Sequence, residues 1–409
     1  MNKVFFRHFK TCAGSFYPFK PALIQFSTIN RAIIKKHTLS YCFSIAFALN
    51  FLVLALPGRA TAQNAYITNE FDNTVSVINT ETRSVVATIN VGVNPIGVAV
   101  SPDNSKVYVS NYNDNTISVI LTATNTVEAT IPVGQNPYGL AVTPDGSKLY
   151  IGYVNDNKIS VVSTGTNAIT STITVGAHPY TLMATPDGSK VYATNWFGHS
   201  VSVISTADDT VIATVPVGNF PLGLAITPDN SKVYVANQPD FTISVISTAT
   251  NSVIDTIHVN NYPAQLIVSP DGSKLYFSGL EANVVSEINT VTNAIVATIA
   301  VGANPDGIAF TPDGSNLYAI NVSANTVSII DVATHSVVAT TPVGTYPHTE
   351  GAFMQGGLRF AGMPGNPNCH GKSVSTLSKQ YGDLNTAATS LGFASVRALQ
   401  TAITAYCRN

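Results

Sequence analysis

Charge is scarce in this chain. Only 10% of its 409 residues are Asp, Glu, Lys or Arg, against about 25% in an ordinary soluble domain. The basic charge gathers at the front. Residues 1–62 hold eight Lys and Arg and no acid, which leaves 12 bases against 22 acids in the rest. An acidic body without clustered Lys and Arg excludes a nucleic-acid binder, because phosphate neutralisation needs them. Cysteine is rarer still, at four residues, and there is a single Trp. There is no CxxC, no G-x-S-x-G, no Walker sequence and no H-E-x-x-H, so the common nucleophile, phosphate and zinc motifs are missing. Hydrophobic residues, by contrast, make up 45% of the chain, which excludes a disordered polymer.

The basic front reads as a leader over 1–62. Arg31, Lys35, Lys36 and His37 precede an apolar run from Tyr41 to Leu56, closed by Pro57-Gly58. Ala60-Thr61-Ala62 then offers the small residues of a signal-peptidase site, with Gln63 as mature start. The run is shorter than the ~20 residues needed to span hydrocarbon, so no stable membrane span is expected after cleavage. The alternative is an uncleaved anchor. The expected location is the periplasm, the cell surface or the medium. Cys12 and Cys42 fall in the leader, and Cys369 and Cys407 remain. An even pair in an oxidising compartment predicts one disulfide.

Repetition dominates the middle. Pro95, Pro137, Pro179, Pro221, Pro263, Pro305 and Pro347 are spaced 42 residues apart without an insertion. Tyr66, Tyr108, Tyr150, Tyr192, Tyr234, Tyr276 and Tyr318 keep the same step. Each unit holds four short β-rich runs bounded by turn residues such as Thr143-Pro144-Asp145-Gly146, which predicts a four-stranded antiparallel sheet per unit. Ser76, Ser118, Ser160, Ser202, Ser244, Ser286 and Ser328 keep one position small, as face-to-face stacking of sheets requires. Four strands in 42 residues is the β-propeller signature.

The ends of the array argue for closure. The first unit begins at Tyr66 without its first strand, and Thr349–Met354 is a first strand without a unit. Pairing the two would remove both free edges. The expectation is an all-β, seven-bladed propeller over 63–354, a Gly/Pro linker over 355–368 and a small helical module over 369–409 stapled by Cys369 and Cys407. Helical spacing of Val374, Leu377 and Tyr381, then of Leu384, Ala387 and Leu391, then of Val396, Leu399, Ile403 and Tyr406 supports that module.

The repeat resembles the YVTN-family propeller repeats of bacterial and archaeal surface-layer and secreted proteins. It is carried by YITN (66–69), YVSN (108–111), YATN (192–195) and YVAN (234–237), with VGVNP (91–95) and SPDNSKVYV (101–109). YIGY (150–153) and YFSG (276–279) depart from it. The resemblance implies the fold and a surface or binding role. It also touches the seven-bladed lactonase-like propellers, which makes a hydrolase with a site at the central channel the alternative.

Topology predicts one regular face and one variable face. The loops leading into the first strand and out of the second share a side, and there the units differ. After the blade-opening Pro stand Ile96, Tyr138, Tyr180, Leu222, Ala264, Asp306 and His348, and before it Asn94, Asn136, His178, Phe220, Tyr262, Asn304 and Tyr346. In the unit of Pro179 the second loop adds Trp196, Phe197 and His199. These residues predict an aromatic arc formed by Tyr138, His178, Tyr180, Trp196, Phe197, His199, Phe220 and Tyr262, with Asp306, Tyr346 and His348 beside it. Such an arc suits a glycan, a peptide or a surface protein. The alternative is that Trp196 plugs the channel mouth. For the hydrolase, Asp306, His348 and Glu350 are the only acid/base candidates near first-strand starts. The reading expects a monomeric, non-enzymatic binding module, with no cofactor, no metal and no catalytic residue.

Overall fold

The computed structural model describes residues 63–355 and, beyond them, Val374, Leu384, Asn385, Val396, Arg397, Leu399, Gln400 and Ile403. The expected leader, the expected Gly/Pro linker beyond Gln355, the expected Cys369–Cys407 bridge and most of the expected helical module fall outside the described residues.

Residues 63–355 form seven antiparallel sheets, one per repeat. A representative blade runs Pro137–Val142, Lys148–Tyr153, Lys158–Ser163 and Ala168–Thr174, in that spatial order. The Pro-Asp-Gly turn between its first two strands works as its residue types require. Asp145 Oδ1 accepts from Ser147 N at 3.0 Å and from the Thr143 hydroxyl at 2.5 Å, and Gly146 takes a φ of +73°. The Asp145 carboxylate is thus engaged by its own turn.

The second and third strands are buried along nearly their whole length, while the fourth strand exposes most of its residues. That is the burial expected when blades stack face to face and only the outer strand meets water. Each repeat tyrosine is buried in this stack, and Tyr66 and Tyr192 reach across it to donate to Asn125 and Asn251, both at 3.1 Å.

The ring closes through its last segment. Tyr66 N donates to Phe353 O at 2.9 Å, His348 N to Thr68 O at 3.1 Å and Gln355 N to Asn64 O at 3.0 Å. The blade of Tyr66 therefore receives the strand that it lacks in sequence. The segment is longer than a regular first strand. Seven steps from Pro347 to Met354 match four steps from Asn69 to Ala65, whereas three from Pro305 to Ile308 match two on the neighbouring strand. The surplus bulges away. Glu350–Ala352 leaves the Tyr66 blade and pairs in parallel with Gly97, Val98 and Ala99 of the next blade. Gly351 permits this with a φ of +99°.

The motif asparagine locks neighbouring blades together. Asn111 Nδ2 donates to Thr116 Oγ1 and Ser118 Oγ within its own blade, both at 2.9 Å, and its Oδ1 accepts from Gly92 N of the preceding linkage at 3.1 Å. Asn69 repeats this with Ser76 and Gly344 across the closure. The repeated serine is thus a hydrogen-bond acceptor as well as a small residue. In the two departing blades Tyr153 and Gly279 replace the asparagine, and the Tyr153 hydroxyl is buried without a partner.

Candidate functional site

In five of the blades a backbone hydrogen bond joins the two variable loops side by side. Trp196 N donates to His178 O at 2.8 Å, Tyr112 N to Asn94 O at 2.9 Å and Glu70 N to Tyr346 O at 3.0 Å. Both loops contain a residue at positive φ, and asparagine usually fills the position, as at Asn73, Asn94, Asn115 and Asn136. Asparagine tolerates that conformation; bulky side chains pay about 1–2 kcal/mol for it. On this face five rings nevertheless occupy it: His178 (φ 58°), His199 (46°), Phe220 (47°), Phe241 (52°) and Tyr346 (52°).

Those rings gather rather than scatter. Trp196 lies 4.6 Å from Phe197, 5.2 Å from Phe220, 6.1 Å from His178 and 6.2 Å from Tyr180 between ring centres. His199 stands edge-on to Phe220 at 5.1 Å. Tyr180 leads to Tyr138 at 4.2 Å, Tyr138 to His348 at 6.0 Å, His348 to Tyr346 at 6.3 Å, and Tyr346 stacks on Phe71 at 4.6 Å. The set therefore runs as one chain of rings. Tyr262 pairs separately, with Phe241 at 4.5 Å. Trp196 is half-buried among its neighbours, and its Nε1 is buried without a hydrogen-bond partner. Phe197 is 49% exposed and Phe71 61% exposed, an apolar display that water does not favour.

Where the ring chain passes His348 it meets a buried polar cluster. His348 Nδ1 lies 3.2 Å from Glu70 Oε2, and its Nε2 lies 3.2 Å from Asp306 Oδ2, 3.2 Å from the Tyr138 hydroxyl and 3.7 Å from Glu350 Oε1. Asp306 is 7% exposed and Glu350 1%. Gln265 Nε2 and the Thr181 hydroxyl donate to Glu350 Oε2. Glu350 Oε1 and Asp306 Oδ1 are buried without a hydrogen bond. Burial works against charge on His348, but the facing carboxylates of Asp306, Glu350 and Glu70 outweigh it and hold the imidazole well above its ordinary range. Burial, then the Asp306 charge, pushes Glu350 up to about 7. Burial, above all, also raises the Tyr138 and Tyr180 phenols.

Sequence reading placed Tyr138, His178, Tyr180, Trp196, Phe197, His199, Phe220, Asp306, Tyr346 and His348 on this face, and the structure joins them in one network of ring and polar contacts. It sets Glu350, read from the sequence as an acid/base candidate, beside His348, and adds Glu70, Phe71, Thr181, Phe241 and Gln265 to that face. Two signals could have found some of them. The position after the motif asparagine reads Glu70, Tyr112, Val154, Trp196, Gln238, Leu280 and Val322 around the ring, so Glu70 and Trp196 are equivalent. The second position after the opening Pro is Gly97, Gly139, Gly223 and Gly307 in four blades, where a Cβ would fall within 2.0–2.4 Å of the adjacent backbone oxygen. Thr181, Gln265 and Thr349 break that rule, and the first two are the donors to Glu350.

The family model of YNCE-like β-propellers matches residues 46–160. No curated protein sequence matches the chain significantly. Among solved structures, a hydrazine synthase from Kuenenia stuttgartiensis superposes with a TM-score of 0.58 at 21% identity, over 62% of this chain and 88% of its own. A functionally unknown protein from Desulfotomaculum acetoxidans DSM 771 gives 0.62 at 17% identity, over 71% and 100%. A dihydro-heme d1 dehydrogenase NirN, in complex with DHE, gives 0.55 at 14% identity, over 70% and 66%. At such identities the likeness is one of fold.

Proposed function

We propose that this chain is an exported, non-enzymatic binding module of YVTN type that holds a carbohydrate on its variable face, around Trp196 and Phe197. One observation carries the reading. Five rings on that face sit at positive φ where the repeat otherwise places asparagine, a strain that persists in folded proteins chiefly where function uses it. Carbohydrate is favoured over peptide by what surrounds the rings. Amide side chains line the neighbouring loops, with Asn155 Nδ2 donating to Asn136 Oδ1 at 3.0 Å and Asn219 Nδ2 to Asp240 Oδ1 at 2.9 Å. An aromatic platform beside planar amides suits a molecule with one apolar face and a hydroxyl edge. The basic segment, the apolar run Tyr41 to Leu56 and Ala60-Thr61-Ala62, read together as a leader, support export.

Trp196 is the sole Trp, so its emission reports on the patch alone. Titration with cell-wall and plant oligosaccharides should shift that emission saturably. Phe197→Ala should weaken binding by about tenfold, in line with losing a stacking ring, and leave the melting temperature within about 2 °C. A glycan array with no binder and an emission maximum that no sugar moves would sink the reading; binding of peptides instead would transfer the site to them. The hydrolase alternative draws on Asp306, His348 and Glu350, and a lactone and ester screen separates it.

A further inference from the structure

Three of the few acids in this chain, Glu70, Asp306 and Glu350, converge on one imidazole. Among the described residues, His348 is their only ion-pairing partner. The two ends of that imidazole have different tasks. Nδ1 faces Glu70 Oε2 at 3.2 Å, the arrangement by which a carboxylate holds a metal-ligating histidine with Nε2 turned to the cation, which displaces the Nε2 proton on binding. Nε2 faces Asp306 and Glu350, and one donor atom from each of the three residues lies within 4.8 Å of the others. Two of those separations, 3.2 Å to Asp306 and 3.7 Å to Glu350, bracket the roughly 3.4 Å between ligands that each stand about 2.1 Å from one tetrahedral centre.

Independent of that spacing, Asp306 Oδ1 and Glu350 Oε1 are buried oxygens with no hydrogen bond. Leaving them so costs about 1–3 kcal/mol each. Glu350 Oε2, by contrast, is held by Gln265 and Thr181, which aims Oε1 at the imidazole. The Glu350 backbone is itself placed by the enlarged bulge of the closing segment, where it pairs in parallel with Gly97.

We propose that His348 Nε2, Asp306 and Glu350 Oε1 bind one divalent transition-metal cation, zinc or manganese, at the seam where the propeller closes, with Glu70 as the positioning residue behind His348. An imidazole with two carboxylates is a donor set for zinc or manganese. Calcium wants six to eight oxygens and finds too few here. The site stands apart from the carbohydrate proposal: a chain that binds zinc and no sugar keeps this site and loses that function.

The test uses untagged protein stripped with EDTA and titrated calorimetrically with zinc, manganese and calcium chlorides. One zinc per chain is expected with a Kd of about 1 µM or tighter, with manganese weaker and calcium at least about 100-fold weaker. Asp306→Asn and Glu350→Gln should each weaken zinc at least about tenfold, and Glu70→Gln by about 10–100-fold, with circular dichroism unchanged. Cobalt loaded into the unsubstituted protein should give a visible absorption band that zinc abolishes, a readout that needs no variant to fold. No zinc uptake, an equal affinity for calcium, or zinc binding that survives Asp306→Asn in a folded protein would overturn the site.

Discussion

Single residues in this protein act chiefly by completing contacts that the repeat leaves open. Glu287 is an example on the second tyrosine-bearing sheet to lack the motif asparagine. It is buried, yet the Tyr276 hydroxyl donates to its Oε2, His335 Nε2 lies 2.8 Å away and Lys274 Nζ 3.2 Å away. Burial alone would raise its carboxyl; the bonds from Tyr276, His335 and Lys274 outweigh it and hold it below its ordinary 4.5. A depressed carboxyl adds stability above its unfolded value and loses it as the pH falls through the folded one. Stability should therefore decline from about pH 5 downward through this residue. Glu287→Gln should flatten that acid limb in a melting series and cost about 1–3 kcal/mol at neutral pH, since it leaves buried partners unmatched. An acid limb that is unchanged in the variant would show that Glu287 carries none of it.

At the scale of an element, the closing segment differs from every other first strand by the size of its bulge: the others hold one surplus residue after the opening Pro, and this one holds three. Gly351 is the residue on which that bulge turns: a Cβ there would stand 2.6 Å from Val98 O, at a φ of +99°. Gly351→Ala should destabilise by about 2 kcal/mol or more, because the backbone conformation and the neighbouring strand both resist it. Gly165→Ala is the control, since nothing lies within 4 Å of a Cβ at that turn. Equal melting temperatures for the two variants would mean that the bulge is soft. The fourth strands behave differently: they carry exposed Val and Ile on their outer rows, such as Val86, Ile254 and Val296, where substitution should matter little.

Over the whole molecule, stability comes from nearest-neighbour stacking, so a ring with one blade opened loses more than the hydrogen bonds of that blade. Deletion from Pro347 onward removes a strand from the Tyr66 blade, buried Phe353 and Met354 from the core beneath it, and the Thr349–Thr68 link. It should lower the urea midpoint and the steepness of unfolding together. Deletion of 369–409 alone should leave the propeller melting nearly unchanged. If the longer truncation unfolded as the intact chain does, closure by this segment would not be what holds the ring.

The fold was legible because a 42-residue period with a Pro, a Tyr and a turn in each unit leaves few architectures, and because the orphan strand and the incomplete first unit fit each other. The aromatic residues of the variable face were legible for the same reason: against a fixed register, Trp196, Phe220 and Tyr346 stand out as departures. What the register could not show was distance across the channel. Thr181 and Gln265 belong to different blades from Glu350, 169 and 85 residues away along the chain, and they meet it only because the ring brings the first strands together around one axis. Nor could spacing reveal the bulge, since the surplus residues of the closing segment matter only once both of its ends are pinned to the Tyr66 strand. Local periodicity determines which residues form strands and which way they face; closure, a contact between the two ends of the array, decides which of those residues become neighbours.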